Sequence, residues 1–434
     1  MSEASVADTS PGWAARHPWL ANISLLLVVS ALAVVFLEVL LRVTGLFTPT
    51  YNYGDAEVGW RSAYPSGKAV IDRCLDLGTQ RMVEFSRNED GVRTNVPAAA
   101  LQADTMYSVA VSGDSHTDLC APNDRVHFGY LERDLRSTGL TATVYSYGAG
   151  KYSPLQAYLA VKPAMAKYRS DAFVLNLYTG NDFMDLLRVD DRPHLVADGD
   201  GYRIAAPVWF QQDPPGLKRR SRVMALVSKL ADVTGISRLA VRVAYLRDAA
   251  AQQGKGMSDV IGYMSDLQKS GSPSVRYSQA FTAQMLNQQL FFQRFGGSRE
   301  ESLRRLAFLL AHVRREQPGR ILALSPIPSF QLVYQAPVDT ALNTVLTRLP
   351  LTYDGGVREE QALYDATKRL AEQAGWVFVD NLPALRALRD SVPLYNTFDY
   401  HIEPVASEAI GRGEAEVLAP LLRKRALEGR TITH

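Results

Sequence analysis

Hydrophobic and polar positions divide this chain into three regimes. In the first, Trp19 to Leu37 runs without a charge, and Glu38 and Arg42 follow. At about 1.5 Å per residue that run reaches about 28 Å, close to the hydrocarbon thickness of a bilayer. The pattern predicts a transmembrane anchor over residues 17–46, behind a short polar tail, 1–16. A cleaved signal peptide is the rival reading. A flank poor in positive charge and the length of the run favour the anchor. Arg16 and Arg42, on its two sides, nearly cancel, so charge does not set orientation.

The second regime begins at Met106. Short apolar runs rich in Val, Leu, Ile and aromatics predict strands at Tyr107–Ser112, Thr143–Tyr147, Ala172–Tyr178, Arg320–Ser325 and Trp376–Val379. Amphipathic stretches lie between them. Val126–Leu135 predicts a helix. Ser153-Pro-Leu-Gln156 reads as an N-cap, a proline at the first helical position and a capping-box glutamine. Ser298 and Glu301 read as a second capping box, followed by Leu303, Leu306, Leu310 and Val313 at helical spacing and stopped by Pro318-Gly319. Glu359–Gln373 predicts another helix, with Gly375 just past its end. Strands separated by helices argue for a doubly wound α/β sheet over residues 106–430. Residues 47–105 hold many turn residues and little period. They predict a membrane-proximal segment packed on the α/β domain.

The third regime, 186–297, interrupts that rhythm. Pro193, Pro207 and Pro214-Pro215 break its first half, and Val223–Val233 and Phe281–Phe292 are amphipathic. It reads as a mixed insertion, a lid or substrate wall on the side where strand ends lie.

Composition changes the picture little. With 434 residues, 47% hydrophobic and 21% charged, the chain is globular in composition. A formal charge of +2 offers no concentrated basic face, which argues against a nucleic-acid partner. The run Lys218–Arg222 reads as a solvated face. Cys74 and Cys120 lack metal-ligand spacing, so no metal is expected. Two readings stand for them: a disulfide tying the membrane-proximal segment to the loop after Ser115, or two unrelated buried thiols.

Candidate chemistry sits where strands end. In open α/β sheets ligands bind beyond the carboxyl ends of the strands. Ser115, in Gly113-Asp-Ser115, Gly148, in Tyr147-Gly-Ala-Gly150, and Asn181, in Thr179-Gly-Asn-Asp182, each follow a predicted strand and should converge at one rim. Acyl transfer needs a nucleophile, a base and donors for the developing oxyanion. Ser115 supplies a hydroxyl. Its own N–H, that of Gly148 and the Asn181 amide are candidate oxyanion-hole donors. His401 is the candidate base, with Asp399 to orient it. His116 is the nearest rival base, but it adjoins the serine, and neighbouring side chains diverge. Each motif also has a plain structural reading: turns for Gly-Asp-Ser and Asn-Asp, backbone geometry for the glycines.

Together these segments resemble the SGNH hydrolases, the GDSL-type esterase and lipase superfamily. The blocks are Ser112–Ser115, the glycine of Tyr147–Gly150, Gly180–Asp182 and Asp399–His401. The apolar helix ending near Glu38 and Leu41-Arg42, followed by Gly59-Trp60, resembles the family's membrane-anchored bacterial branch. The resemblance implies a flavodoxin-like three-layer fold. It also implies Ser115 as nucleophile, Gly148 and Asn181 in the oxyanion hole, and His401 as base, with no cofactor. Two positions depart from the pattern. Thr179 stands where the third block usually has its first Gly. Only Tyr400 separates Asp399 from His401 where two residues are common, so a backbone carbonyl is an alternative partner for the imidazole.

The expectation is an extracytoplasmic, membrane-anchored serine esterase. It would hydrolyse or transfer a small acyl group, acetyl by preference, on an envelope or exported glycan. Transfer would require a multispanning acyl-donor partner. Two alternatives stand beside it: a lipid esterase or lysophospholipase, and a non-catalytic glycan-binding or assembly protein on the same fold.

Overall fold

The computed structural model describes residues 18–43, 53–61, 67–76, 81–102, 107–190, 192–208, 223, 284–285, 288–289, 291–293, 296–335, 351–396 and 400–427. The chain forms two compact units. One comprises 1–50 with 214–240, and the other 51–213 with 241–434.

The first unit contains a helix, Pro18–Val43. Its segment Asn22–Val43 is long and apolar enough to cross a membrane, with a mean hydropathy of 2.8, and apart from Leu41 its residues are exposed or half-buried. Leu26 and Phe36 stand 66% and 70% exposed, which water disfavours and lipid does not.

The second unit is built on a five-stranded parallel sheet. Its strands are β1 (Tyr107–Ser112), β2 (Ala142–Ser146), β3 (Ala172–Tyr178), β4 (Ile321–Ile327) and β5 (Val377–Phe378). Their spatial order is β2-β1-β3-β4-β5, the flavodoxin-like order. The strands read as apolar runs because both faces are covered. Val109, Val111, Val144, Ala172, Val174, Ala323 and Ile327 join one core cluster. Their alternates Ala110, Tyr145, Phe173, Leu175, Leu322 and Leu324 join the other. The first face packs against α1 (His127–Ser137) through Phe128, Leu131 and Leu135. The second packs against α2 (Pro154–Lys167) and α3 (Gly296–Glu316) through Leu159, Met165, Leu306 and Leu310. Helix α4 (Tyr353–Gln373) contributes to both clusters, and α5 (Pro404–Leu427) returns to the first face. The doubly wound α/β sheet expected from the strand–helix rhythm, and the three-layer fold the resemblance implies, are therefore present.

Local expectations met different fates. Ser153 caps α2, accepting from the Gln156 N–H at 3.2 Å. The Gln156 side chain makes no capping box; its Nε2 donates to the Val58 carbonyl at 2.7 Å. Ser298 lies inside α3 rather than at its cap, and Glu301 is taken by Arg305 at 2.8 Å and by the Tyr202 hydroxyl at 2.9 Å. Helix α4 starts earlier than Glu359, where Thr352 caps it by accepting from the Gly355 N–H at 3.1 Å. Gly355-Gly356 hides that start, because glycine reads as a turn. Here it makes room, since a Cβ on Gly356 would stand 2.0 Å from Gln289 Oε1.

The segment before β1 packs on the sheet's edge and on α2. Arg93 exchanges backbone hydrogen bonds of 2.9 Å with Ser146, which covers the open edge of β2. Trp60 lies against Tyr152, ring centroids 4.7 Å apart. A disulfide joins Cys74, in the hairpin of Val70–Asp76 and Arg81–Arg87, to Cys120, with Cα atoms 5.8 Å apart. Of the insertion, an antiparallel ribbon (His194–Asp198 with Gly201–Ala205) and parts of 284–293 are described. The Val223–Val233 helix and most of the 186–297 insertion, read as a lid or substrate wall, fall outside the described residues, as does Asp399.

Candidate active site

Because β1, β2 and β3 run parallel, their carboxyl ends meet on one side of the sheet. The chain leaves β1 at Ser112 and folds at once into a tight turn. Asp114 Oδ1 accepts from the His116 N–H at 2.9 Å, and the Asp114 carbonyl accepts from the N–H groups of Thr117 and Asp118, each at 3.1 Å. Gly113, Asp114, His116 and Thr117 are buried by this turn, while Ser115 stays partly exposed.

The loop after β2 presses against that turn. Ala149 N–H donates to the Gly113 carbonyl at 3.3 Å. A Cβ on Gly148 would stand 2.9 Å from both Cβ and Cγ2 of Thr117, so no side chain fits there. A Cβ on Gly150 would meet only the Ser115 Cβ, at 3.6 Å, an ordinary contact. The two glycines are therefore unequal. Gly148→Ala is expected to displace the serine turn, lowering the thermal midpoint and cutting ester turnover about tenfold or more, while Gly150→Ala keeps the thermal midpoint. Thermal unfolding and turnover on both variants check this.

The N–H groups around the serine divide into two sets. Those of His116, Thr117 and Ala149 have acceptors within the turn, and that of Tyr147 donates to the Val111 carbonyl in β1. Among the described residues, those of Ser115 and Gly148 have none. Two unclaimed backbone donors beside a serine hydroxyl are the composition of an oxyanion hole.

The loop after β3 brings Asn181. Its Nδ2 donates to Asp185 Oδ2 at 2.6 Å and lies 3.5 Å from Asp182 Oδ1. Arg192 Nη1 holds Asp185 Oδ1 at 2.8 Å. Burial pushes the Asp114 carboxyl up to about 6, opposed by the His116 N–H and by His401. Burial, with the charges of Asp114 and Asp185, holds Asp182 well above the carboxylate range, while the Tyr178 N–H donates to it at 2.8 Å.

Thr179, the departure from the family pattern, anchors this loop. Its hydroxyl donates to the buried Glu360 carboxylate and accepts from the Ser329 N–H at 2.8 Å. Ser329 Oγ and Gln331 Nε2 complete the shell of Glu360 at 2.8 and 2.6 Å. The insertion reaches the same loop, where Gln288 Nε2 meets the Tyr178 hydroxyl at 3.4 Å.

His401 is partly exposed and reaches the serine turn from the far end of the chain. Its ring centroid lies 5.0 Å from that of His116, the residue after Ser115. The backbone presents it tightly. Asn396 N–H donates to the His401 carbonyl at 2.7 Å, and Tyr400 adopts φ +60°. A bulky residue in the left-handed region costs about 1–3 kcal/mol, a strain found mostly at functional positions. His116, the rival base, is fully buried and stacked on Tyr178 at 3.7 Å. Neither of its ring nitrogens has a hydrogen-bond partner among the described residues. Burial first, then the nearby His401 and His127, hold it well below the usual histidine range.

Sequence reasoning missed the residues that brace the turn. Thr117 Oγ1 donates to Asn176 Oδ1 at 3.3 Å. Asn176 Nδ2 donates to Glu414 Oε1 at 2.9 Å, and Glu414 Oε2 lies 3.5 Å from His127 Nδ1. On the other side, buried Arg93 holds Asn123 Oδ1 at 2.8 Å and the Leu119 carbonyl at 2.7 Å.

Asp114 has a consequence for stability. Folded, it binds its proton more tightly than unfolded, where 3.8 applies. Its contribution is full below about pH 4 and is lost as the pH rises through about 6. Asp114→Asn, which keeps the turn's acceptor, is expected to leave the thermal midpoint unchanged at pH 4 and to raise it at pH 7.5. Thermal scans at the two values check this. An equal shift at both would rule out titration as the cause.

No family model matches the chain, and no curated protein matches it. Among solved structures it is similar to a lipase/acylhydrolase from Enterococcus faecalis, at 10% identity over 73% of this chain and 97% of that one, TM-score 0.34. It is also similar to a GDSL-like lipase from Parabacteroides merdae, at 10% identity over 73% and 97%, TM-score 0.33. A third similarity is to an acetylxylan esterase from Geobacillus stearothermophilus, at 10% identity over 72% and 94%, TM-score 0.30.

Proposed function

We propose that the protein is a membrane-anchored serine esterase of the SGNH type. The observation that carries this reading is the pair of unclaimed N–H groups, of Ser115 and Gly148, beside a reachable serine hydroxyl with His401 at the same turn. Ser115 Oγ attacks the ester carbonyl carbon while His401 takes its proton. The carbonyl oxygen becomes an oxyanion held by the two N–H groups and the Asn181 amide. The C–O bond to the alcohol breaks, and His401 returns the proton to that alcohol. Water then attacks the acyl-serine by the same route in reverse, or a sugar hydroxyl does so in a transfer reaction.

We assign the substrate as a small acyl group, acetyl by preference, on an envelope or exported glycan. The apolar helix near the N-terminus supports a membrane address, and the Cys74–Cys120 bond supports an oxidising compartment for the catalytic unit. The test uses the full chain in detergent with a fluorophosphonate probe, alongside acetate release from acetylated glycans. Covalent label on the peptide containing Ser115 is the expected result. A folded protein that takes no label would return weight to a binding role on the same fold.

A further inference from the structure

One amide nitrogen carries both N–H groups of an asparagine, held about 120° apart in a plane. Fixing one of them fixes where the other points. Asn181 Nδ2 donates to Asp185 Oδ2 at 2.6 Å, so its amide plane cannot turn freely about the side chain. Asp185 sits four residues on in the same short helix, where its own N–H donates to the Asn181 carbonyl at 2.9 Å. Backbone and side chain thus lock the two residues together. The far oxygen of Asp185 is held by Arg192 Nη1 at 2.8 Å, and both side chains are more than nine-tenths buried. Arg188 adds a second, solvent-facing contact at 3.4 Å. A buried carboxylate with one oxygen on a guanidinium and the other on an amide has little freedom left.

We infer that Asp185 and Arg192 form a positioning pair that sets the plane of the Asn181 amide, so that its second N–H, whose contact with Asp182 Oδ1 is a long 3.5 Å, meets the developing oxyanion. The inference rests on the proposed role of Asn181 and deepens it. Asp185 touches no reacting atom and acts through Asn181 alone. Arg192 keeps the Asp185 carboxylate in place beside the Asp114 and Asp182 carboxyls, which crowd the same pocket. Neither residue lies in a motif that marks the site in the sequence. Arg192 sits where the chain enters the insertion, so the insertion's first turn becomes part of the catalytic frame.

The test is a mutant cycle read by steady-state kinetics on an aryl acetate. Asp185→Ala is expected to lower kcat about tenfold or more with KM within about twofold. Asp185→Asn retains an acceptor for the amide and is expected to recover part of the loss. In an Asn181→Ala background, Asp185→Ala is expected to cost nothing further, because its target is gone. Should Asp185→Ala strand Arg192 and unfold the chain, Asp185→Ala/Arg192→Met removes both buried charges and carries the same expectation. An undiminished kcat in the folded variant overturns the inference. So does an equal loss with and without Asn181, which marks a structural role. Turnover that survives Ser115→Ala instead overturns the serine esterase reading, and the positioning role with it.

Discussion

Replacing Ser115 by alanine is expected to abolish ester turnover, by about 10⁴-fold or more, and to remove fluorophosphonate labelling, with the thermal midpoint unchanged. The size follows from the division of labour at the turn. Without Oγ there is no acyl-enzyme, and what remains is the capacity of the Ser115 and Gly148 N–H groups to polarise a bound carbonyl toward water. Such residual catalysis is modest compared with the complete constellation. Stability should not follow activity, because the turn is held by other groups. The Asp114 side chain and carbonyl, the Gly113 carbonyl and the Thr117–Asn176 bond are all left in place. Turnover and labelling measured beside thermal unfolding separate the two. An alanine variant that keeps its turnover would move the nucleophile elsewhere, whereas one that loses both turnover and fold would leave Ser115 a structural residue.

The place of the candidate site was legible where it coincided with secondary structure. Tyr107–Ser112 reads as a buried strand because both of its faces are covered, and a Gly-Asp-Ser turn at its end then stands at the rim of a parallel sheet. The same logic carried Gly148 and Asn181. The frame around them was not legible, because its residues are polar and lie in segments that look like surface. Arg93 is buried only because Asn123, Asp118 and the Leu119 carbonyl converge on it. Glu360 is buried because Thr179 from one segment and Ser329 and Gln331 from another come to satisfy it. A local pattern sees one partner at a time, and a lone Arg or Glu is correctly read as solvated. Thr179 illustrates the gain in reading. By the family pattern it is a departure, whereas in the fold it is the bond between the loop of Asn181 and α4. The two mistaken capping boxes have a related cause. Gln156 and Glu301 found stronger partners across space than the helix start offered, in the Val58 carbonyl for one and Arg305 and Tyr202 for the other.

His401→Ala is the second large effect, expected to lower kcat/KM by about 10³-fold or more, while His116→Phe keeps activity within about tenfold. Two histidines meet at the serine turn, and their surroundings assign different work. His116 is fully buried, stacked on Tyr178, and flanked by His401 and His127, all of which penalise its cation. A general base must accept a proton during turnover, so His116 is poorly placed for the task. Phenylalanine preserves its stack and removes only the nitrogens. His401 is partly exposed, near the carboxyl of Asp114, which favours a transient imidazolium. The base must be neutral to act, so activity should fall on the acid side as the imidazole takes up a proton. His116 contributes a separate trend. Buried as the neutral ring, its stabilising contribution is present above about 6.5 and is lost as the pH falls from there toward its depressed folded value. Kinetics and thermal midpoints measured together from pH 5 to 8 distinguish the two. An acid limb that persists in His116→Phe belongs to His401. A flat profile, or a limb that disappears with His116, would take the base assignment away from His401.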